Sequence, residues 1–282
     1  MGKYIIIDKD VFEGTQTDKL VAFVQNHFLI LPDDLYYECA TTDTNREKLL
    51  DRFRSVVLAG AYICPRVIDI IKKEAKNLSP CGFLVDLDKV PAVIRTFKKN
   101  KRPYNPQIVQ RLQKEEMDMA KRLLCTAEGF NAKLASDEPE LLAKVRKWDN
   151  STAARSSRLQ ELTEFIDTQD MHESALKWLS GLVFSPEKFC LSKDWFSWEY
   201  SRLLHILIQE RTFLRHCGGM PSDNAIEHDL QDIKYVALLS RANCLLTKDE
   251  KLVKPLAKTA FPERDVFSNL DEVPEEYVCH WS

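Results

Sequence analysis

Glycine is scarce in this chain: eight residues in 282, where average usage is roughly 7 %. They stand at positions 2, 14, 60, 82, 129, 181, 218 and 219, so no segment has the glycine spacing of a phosphate-cradling loop. That excludes the dinucleotide fingerprint and the Walker loop. Cysteine is present but never clustered, the eight lying 17 or more residues apart. With no CxxC pair and no ligand spacing among the six histidines, a structural zinc knuckle has no ligand set. Long apolar runs are missing too. The longest, Val56 to Cys64, is nine residues, well short of the ~20 that span a bilayer. No basic segment leading into an apolar stretch opens the chain, so the expectation is a soluble cytoplasmic protein with reduced thiols and no membrane contact. Nor is there an excess of positive charge. At a formal net charge of −3, any affinity for nucleic acid must come from a local patch.

What is present suffices for a core: 44 % hydrophobic and 29 % charged residues in a chain long enough for one large domain. Lys3-Tyr-Ile-Ile-Ile-Asp8 is a short β-branched run closed by an acid, the pattern of a buried parallel strand. Asn243-Cys-Leu-Leu-Thr247 is a second, Gly82-Phe-Leu-Val-Asp86 a third, and Asp265-Val-Phe-Ser268 a weaker fourth. Residues 16–31 and 46–77 carry apolar positions at three-to-four spacing and read as helical.

The middle, about 104–217, shows almost no strand signal. Gln107–Cys125, Pro139–Trp148, Arg155–Asp167, His172–Val183 and Asp194–His216 read as amphipathic helices. Gly218-Gly219-Met-Pro221 marks the return to the sheet, with Asn224 and Glu227 spaced as a capping box. The expectation is an open, mainly parallel α/β sheet with flanking helices. It is formed by residues 1–103 and 218–282 and interrupted by a large helical insertion over 104–217.

In an open parallel sheet, ligands bind beyond the carboxyl ends of the strands. Two of the expected strands end on acids there, Asp8 (with Asp10 beside it) and Asp249. Glu38 lies about two turns into the segment beginning at Pro32, and Asp229 and Asp232 fall three apart on one helix face. Gathering four or more carboxylates is costly through mutual repulsion, which a hard divalent cation relieves. Such an ion lowers the pKa of bound water and clamps a phosphoryl group.

The combination of hhhD-x-D at the amino terminus, a helical glutamate near 38, and D-x-x-D-x-x-Y…LLT-x-D near the carboxyl terminus resembles a PIN domain. PIN domains are metal-dependent nucleases of the flap-nuclease-like fold, most often ribonucleases. The resemblance covers about 1–90 and 220–270. It implies that Asp8, Glu38, Asp232 and Asp249 hold Mg²⁺ or Mn²⁺ and carry catalysis. Asp10, Asp229 and Thr247 would support them. The implied substrate is nucleic acid, with single-stranded RNA favoured over DNA; Lys9, Lys248 and Lys251 flank the acids and read equally as substrate-phosphate contacts and as ordinary surface charges. The long helical middle is absent from small PIN toxins, and selection of a substrate or protein partner is its expected role. The fold serves bacterial toxins and antiviral effectors, so such a role is among the expectations.

Other readings compete. Ile-Ile-Ile-Asp8-Lys-Asp10-Val11 also resembles the nucleophile motif of haloacid-dehalogenase-type phosphatases, with Asp8 as nucleophile and Asp10 as acid/base. A catalytically silent PIN-like interaction protein is a further alternative. Residue by residue, Asp8 could simply cap a helix, and Asp249 could serve a turn. The basic run Lys98-Lys-Asn-Lys-Arg102, beside Tyr104, reads first as a solvated loop and second as a phosphate contact. Trp195, Phe196, Trp198 and Tyr200 read as packing within the insertion, and His228 as incidental.

Overall fold

The computed structural model describes residues 2–100, 154–168, 191–216 and 223–279, with residues 105, 107–112, 151 and a few positions between 114 and 122. Five strands form one sheet: β1 (Tyr4–Ile7), β2 (Phe28–Pro32), β3 (Tyr62–Cys64), β4 (Cys244–Leu246) and β5 (Asp265–Phe267). Every pairing is parallel and the order is β3-β2-β1-β4-β5. Parallel neighbours need crossover connections, and helices supply them. The first half contributes α1 (Lys9–Gly14), α2 (Thr17–Asn26), α3 (Asp33–Thr41), α4 (Arg46–Ala59), α5 (Val67–Asn77) and α6 (Val90–Lys99). The second half contributes α7 (Arg155–Thr168), α8 (Phe196–His216), α9 (Asp223–Leu239) and α10 (Val253–Ala260).

Strand alternation sorts the apolar residues into two layers. Ile5, Ile7, Leu29, Leu31, Cys244 and Leu246 share a buried cluster with residues of α1–α4 and Phe97 of α6. Ile6, Ile30, Cys64 and Leu245 share the opposite cluster with residues of α5 and α7–α10. Each fully buried isoleucine is worth roughly 2 kcal/mol of transfer free energy, and because both faces of β1 are covered, Ile5, Ile6 and Ile7 are all fully buried. Leu159, Leu162 and Ile166 of α7 and Phe196, Tyr200 and Leu203 of α8 belong to the second cluster. The described helices of the expected insertion therefore complete one face of the sheet. Trp195, Phe196 and Tyr200 are buried there, as their spacing suggested, and Trp198 packs against the same cluster.

Three local expectations need correction. Gly82–Asp86 joins no ladder: Leu84 and Val85 are buried by packing, not by strand pairing. The stretches 16–31 and 46–77 are not helical throughout, since β2 and β3 lie within them. Asn224 falls inside α9 and does not precede it. The segments Pro139–Trp148 and His172–Val183, the Gly218–Pro221 junction, Lys101, Arg102 and Tyr104 lie outside the described residues. Among those described, no helix is long and apolar enough to cross a membrane.

Candidate functional site

The chain runs outward from β1 through β2 to β3, then returns to the other side of β1 for β4 and β5. β1 and β4 are thus the neighbours at which the winding reverses, where a crevice opens beyond the carboxyl ends. Asp8 follows β1 directly and Thr247 follows β4. The Asp8 amide donates to the Leu246 carbonyl at 2.9 Å, and the Thr247 hydroxyl donates to Asp8 Oδ2 at 2.6 Å. The same hydroxyl oxygen accepts the Asp249 amide at 3.1 Å, so one threonine links the ends of both strands. Asp8 stands at the N-cap position of α1 but makes no side-chain capping bond, so the plain capping role is not how its carboxylate is used.

Asp232, on α9, and Glu38, on α3, face the same place. Asp8, Asp249, Glu38 and Asp10 all repel the Asp232 charge. Burial first, and those four acids after it, push its carboxyl up to about 9. Burial likewise raises Asp8 to about 6 against the opposing Thr247 bond, with Asp10 and Asp249 adding to the rise. Glu38 is raised to about 8 by burial, against a hydrogen bond from Tyr235 Oη to its Oε1 at 2.7 Å. The charge of Asp8 adds to that rise, while Lys9 and Lys234 oppose it. Four separated segments of chain therefore bring five carboxylates into one electrostatic field.

The remaining candidates sort differently. Asp249 Oδ1 accepts the amides of Lys251 at 2.6 Å and Leu252 at 2.7 Å, so it also holds the turn before α10. Lys251 thereby contributes its backbone, while its side chain is exposed. Lys9 pairs with Glu13 at 3.6 Å, and Lys248 reaches over Gly14 at the end of α1. Asp229 does not join the acids although it lies on the same helix as Asp232. Its Oδ2 accepts Arg155 Nη2 at 2.9 Å and pairs with Arg211. His228 is exposed, as are Lys98 and Lys99 at the end of α6.

Sequence reading named Thr247 and Tyr235 but missed the contacts by which α9 grips α3. Lys234 Nζ reaches Asp34 Oδ1 at 3.0 Å and Gln231 Oε1 at 2.8 Å, and Tyr235 reaches Glu38, both across about two hundred positions of chain. The D-x-x-D-x-x-Y spacing included Tyr235 without giving it a partner, and nothing in the sequence singled out Lys234 or Asp34. The oxygen-only donor set suits a hard divalent cation in chemistry. Among the described residues, however, no group of three or more His, Cys, Asp or Glu side chains is gathered to hold an ion as it stands. Binding one would have to draw the carboxylates together. Comparison with protein-family models, with curated proteins and with solved structures gives no match.

Proposed function

We propose that the protein is a PIN-like, metal-dependent nuclease that hydrolyses single-stranded RNA at the crevice beyond β1 and β4. The observation that carries this reading is the meeting of Asp8, Glu38, Asp232 and Asp249, drawn from four segments, with each of Asp8, Glu38 and Asp232 raised by burial and by its neighbours. Titratable groups so perturbed, beyond the strand ends at a switch point of a parallel sheet, are the mark of a candidate working site. Asp8, Glu38, Asp232 and Asp249 would hold Mg²⁺ or Mn²⁺, which when bound supplies a lowered-pKa water and offsets charge on the phosphoryl oxygens. Thr247 orients Asp8 through its 2.6 Å hydrogen bond, and the turn amides of Lys251 and Leu252 fix Asp249. Asp10, exposed in the first turn of α1, adds negative charge without a fixed contact to Asp8. Lys9 and Lys248 stand beside the acids and supply the positive charge that a phosphate strand needs on approach. A flexible single strand enters such a crevice more easily than a duplex.

The phosphatase alternative gives helical Asp232 no task, yet Asp232 is the acid most strongly raised by the others. The silent-partner alternative leaves the repulsion without a use. The test is cleavage of end-labelled RNA and DNA single strands with Mn²⁺, Mg²⁺ or EDTA, comparing wild type with Asp8→Asn and Asp249→Asn. Metal-dependent cutting of RNA, lost in both variants, is the expected result. Cutting retained in Asp8→Asn overturns the proposal. Phosphate release from a monoester without strand cutting, trapped by fluoroberyllate, transfers the site to the phosphatase reading.

A further inference from the structure

Tyr235 lies one helical turn after Asp232 on α9, close enough along the helix to share its neighbours. Its ring is 1 % exposed and its hydroxyl donates to Glu38 Oε1 at 2.7 Å. Lys234, the residue before it, donates to Asp34 Oδ1 at 3.0 Å. Asp34 and Glu38 are four apart on α3, so two successive residues of α9 grip two acids one turn apart on α3. Asp34 is further tied by the Val67 amide at 3.1 Å, at the start of α5. The two grips differ in charge. Lysine answers Asp34 with a positive charge, whereas the tyrosine hydroxyl fixes Glu38 without bringing one. The Thr247 hydroxyl treats Asp8 in the same way.

We infer that Tyr235 is a positioning residue beside the acids, whose neutral hydroxyl holds the Glu38 carboxyl group against the helix that carries Asp232 without placing a positive charge where a divalent cation would sit. The inference rests on the nuclease reading given above. A lysine or arginine in place of Tyr235 would hold Glu38 as firmly but would compete with the cation for its charge. Partners that orient a ligating carboxylate typically change metal affinity roughly 10- to 100-fold when removed.

The experiment is calorimetric titration of the full chain with Mn²⁺ alone, in wild type, Tyr235→Phe, Tyr277→Phe and Asp232→Asn, with folding checked by circular dichroism. Tyr277 is the matched control, a buried tyrosine whose hydroxyl donates to Asp265 Oδ2 at 2.6 Å, on the far side of β4 from β1. Tyr235→Phe is expected to weaken Mn²⁺ roughly 10- to 100-fold, with Tyr277→Phe unchanged. In a Glu38→Gln background the same substitution is expected to have no further effect. Equal losses in both backgrounds would make Tyr235 a packing residue only and overturn the inference, as would unchanged affinity in Tyr235→Phe. If phenylalanine prevents folding, replacing Tyr235 with 3-fluorotyrosine keeps its shape and sharpens the donor; Mn²⁺ affinity must then shift, and constancy overturns the inference. A wild type that binds no Mn²⁺ overturns the nuclease reading itself, whereas loss in Asp232→Asn with no loss in Tyr235→Phe overturns only the role of the tyrosine.

Discussion

Asp229 and Asp232 sit three positions apart on α9 and live in opposite surroundings. Asp229 belongs to a buried ionic cluster between α7, α8 and α9. There Arg155 forks onto Glu210 with contacts of 2.7, 2.8 and 3.1 Å, and Arg158 approaches the same carboxylate at 3.5 Å. Arg155 and Arg211 share Asp229. Burial, with Arg155 nearby, holds the Arg211 guanidinium down at about 10, so this cluster is if anything over-supplied with positive charge. Asp232, by contrast, faces four other carboxylates. One turn of helix separates acids answered by cations from acids that face one another. The first arrangement is what a fold uses to hold helices in register. The second raises the energy of the folded state and is kept where the charge has other work.

The largest difference between the two clusters should appear on amidating each acid. Asp232→Asn is expected to lower metal-dependent cleavage on the order of 10³-fold, since several kcal/mol of charge stabilisation goes with it. The same change removes repulsion, so the metal-free protein should melt higher than wild type by differential scanning fluorimetry. A lower melting temperature together with full activity would exchange the roles of the two acids. Glu210→Ala should do the reverse. It removes the carboxylate that Arg155 and Arg158 share and is expected to destabilise by about 3 kcal/mol in urea unfolding. Wild-type stability in that variant would mean that the ionic cluster contributes little to holding α7 against α8.

A smaller effect concerns pH and has a definite sign. Asp8, Glu38 and Asp232 are raised to about 6, 8 and 9, whereas unfolded carboxyls titrate near 4. Between about pH 4 and 9 the folded state therefore holds protons that the unfolded chain has lost, and stability falls as pH rises through that window. In EDTA the melting temperature should drop by roughly 5 °C from pH 5.5 to 8.5, and Mn²⁺ should recover it at the upper end. Asp232→Asn should flatten the drop. A melting temperature that rises over this range would mean that the acids are compensated after all.

The sequence made the sheet partly legible, and for identifiable reasons. β1 and β4 are continuous apolar runs closed by Asp8 or by Thr247, a pattern peculiar to strands buried on both faces. β2 was hidden because Phe28-Leu-Ile-Leu-Pro32 continues the apolar spacing of α2, and a short apolar run cannot be told from buried helix by periodicity. β3, at three residues, is too short to establish an alternation. Gly82–Asp86 misled for the converse reason: Leu84 and Val85 are apolar because they are buried, without a ladder to join. The four acids were legible because strand ends and helix spacing advertise them. Thr247 was legible with them, but the bond from Tyr235 to Glu38 and the neighbouring pair of Lys234 with Asp34 were not, since they form only through tertiary packing. Asp229 shows the limit of spacing arguments most directly. Three residues from Asp232 is near enough to share a face, but α7 and α8 decided which neighbours it met.

The smallest expected effect separates side chain from backbone at Lys251. Its position two residues after Asp249 makes its ammonium a natural choice for a substrate phosphate. Yet the side chain is exposed, and it is the amide that bonds Asp249 Oδ1 at 2.6 Å. Lys251→Ala is therefore expected to change RNA cleavage less than about twofold at moderate salt, since an exposed, screened charge contributes little. Lys251→Pro, which removes the amide hydrogen while deleting the same ammonium, should release one of the two bonds fixing Asp249 and weaken cleavage roughly tenfold, in line with other partners of ligating carboxylates. The order of the two variants carries the argument. If alanine proves as harmful as proline, and the dependence of RNA binding on salt flattens by about 0.7 in log–log slope, the ammonium holds a phosphate and the turn is incidental. If only proline is harmful, the acid after β4 depends on backbone amides for its orientation, as Asp8 depends on the Thr247 hydroxyl: both are held by neutral donors that bring no positive charge to the site.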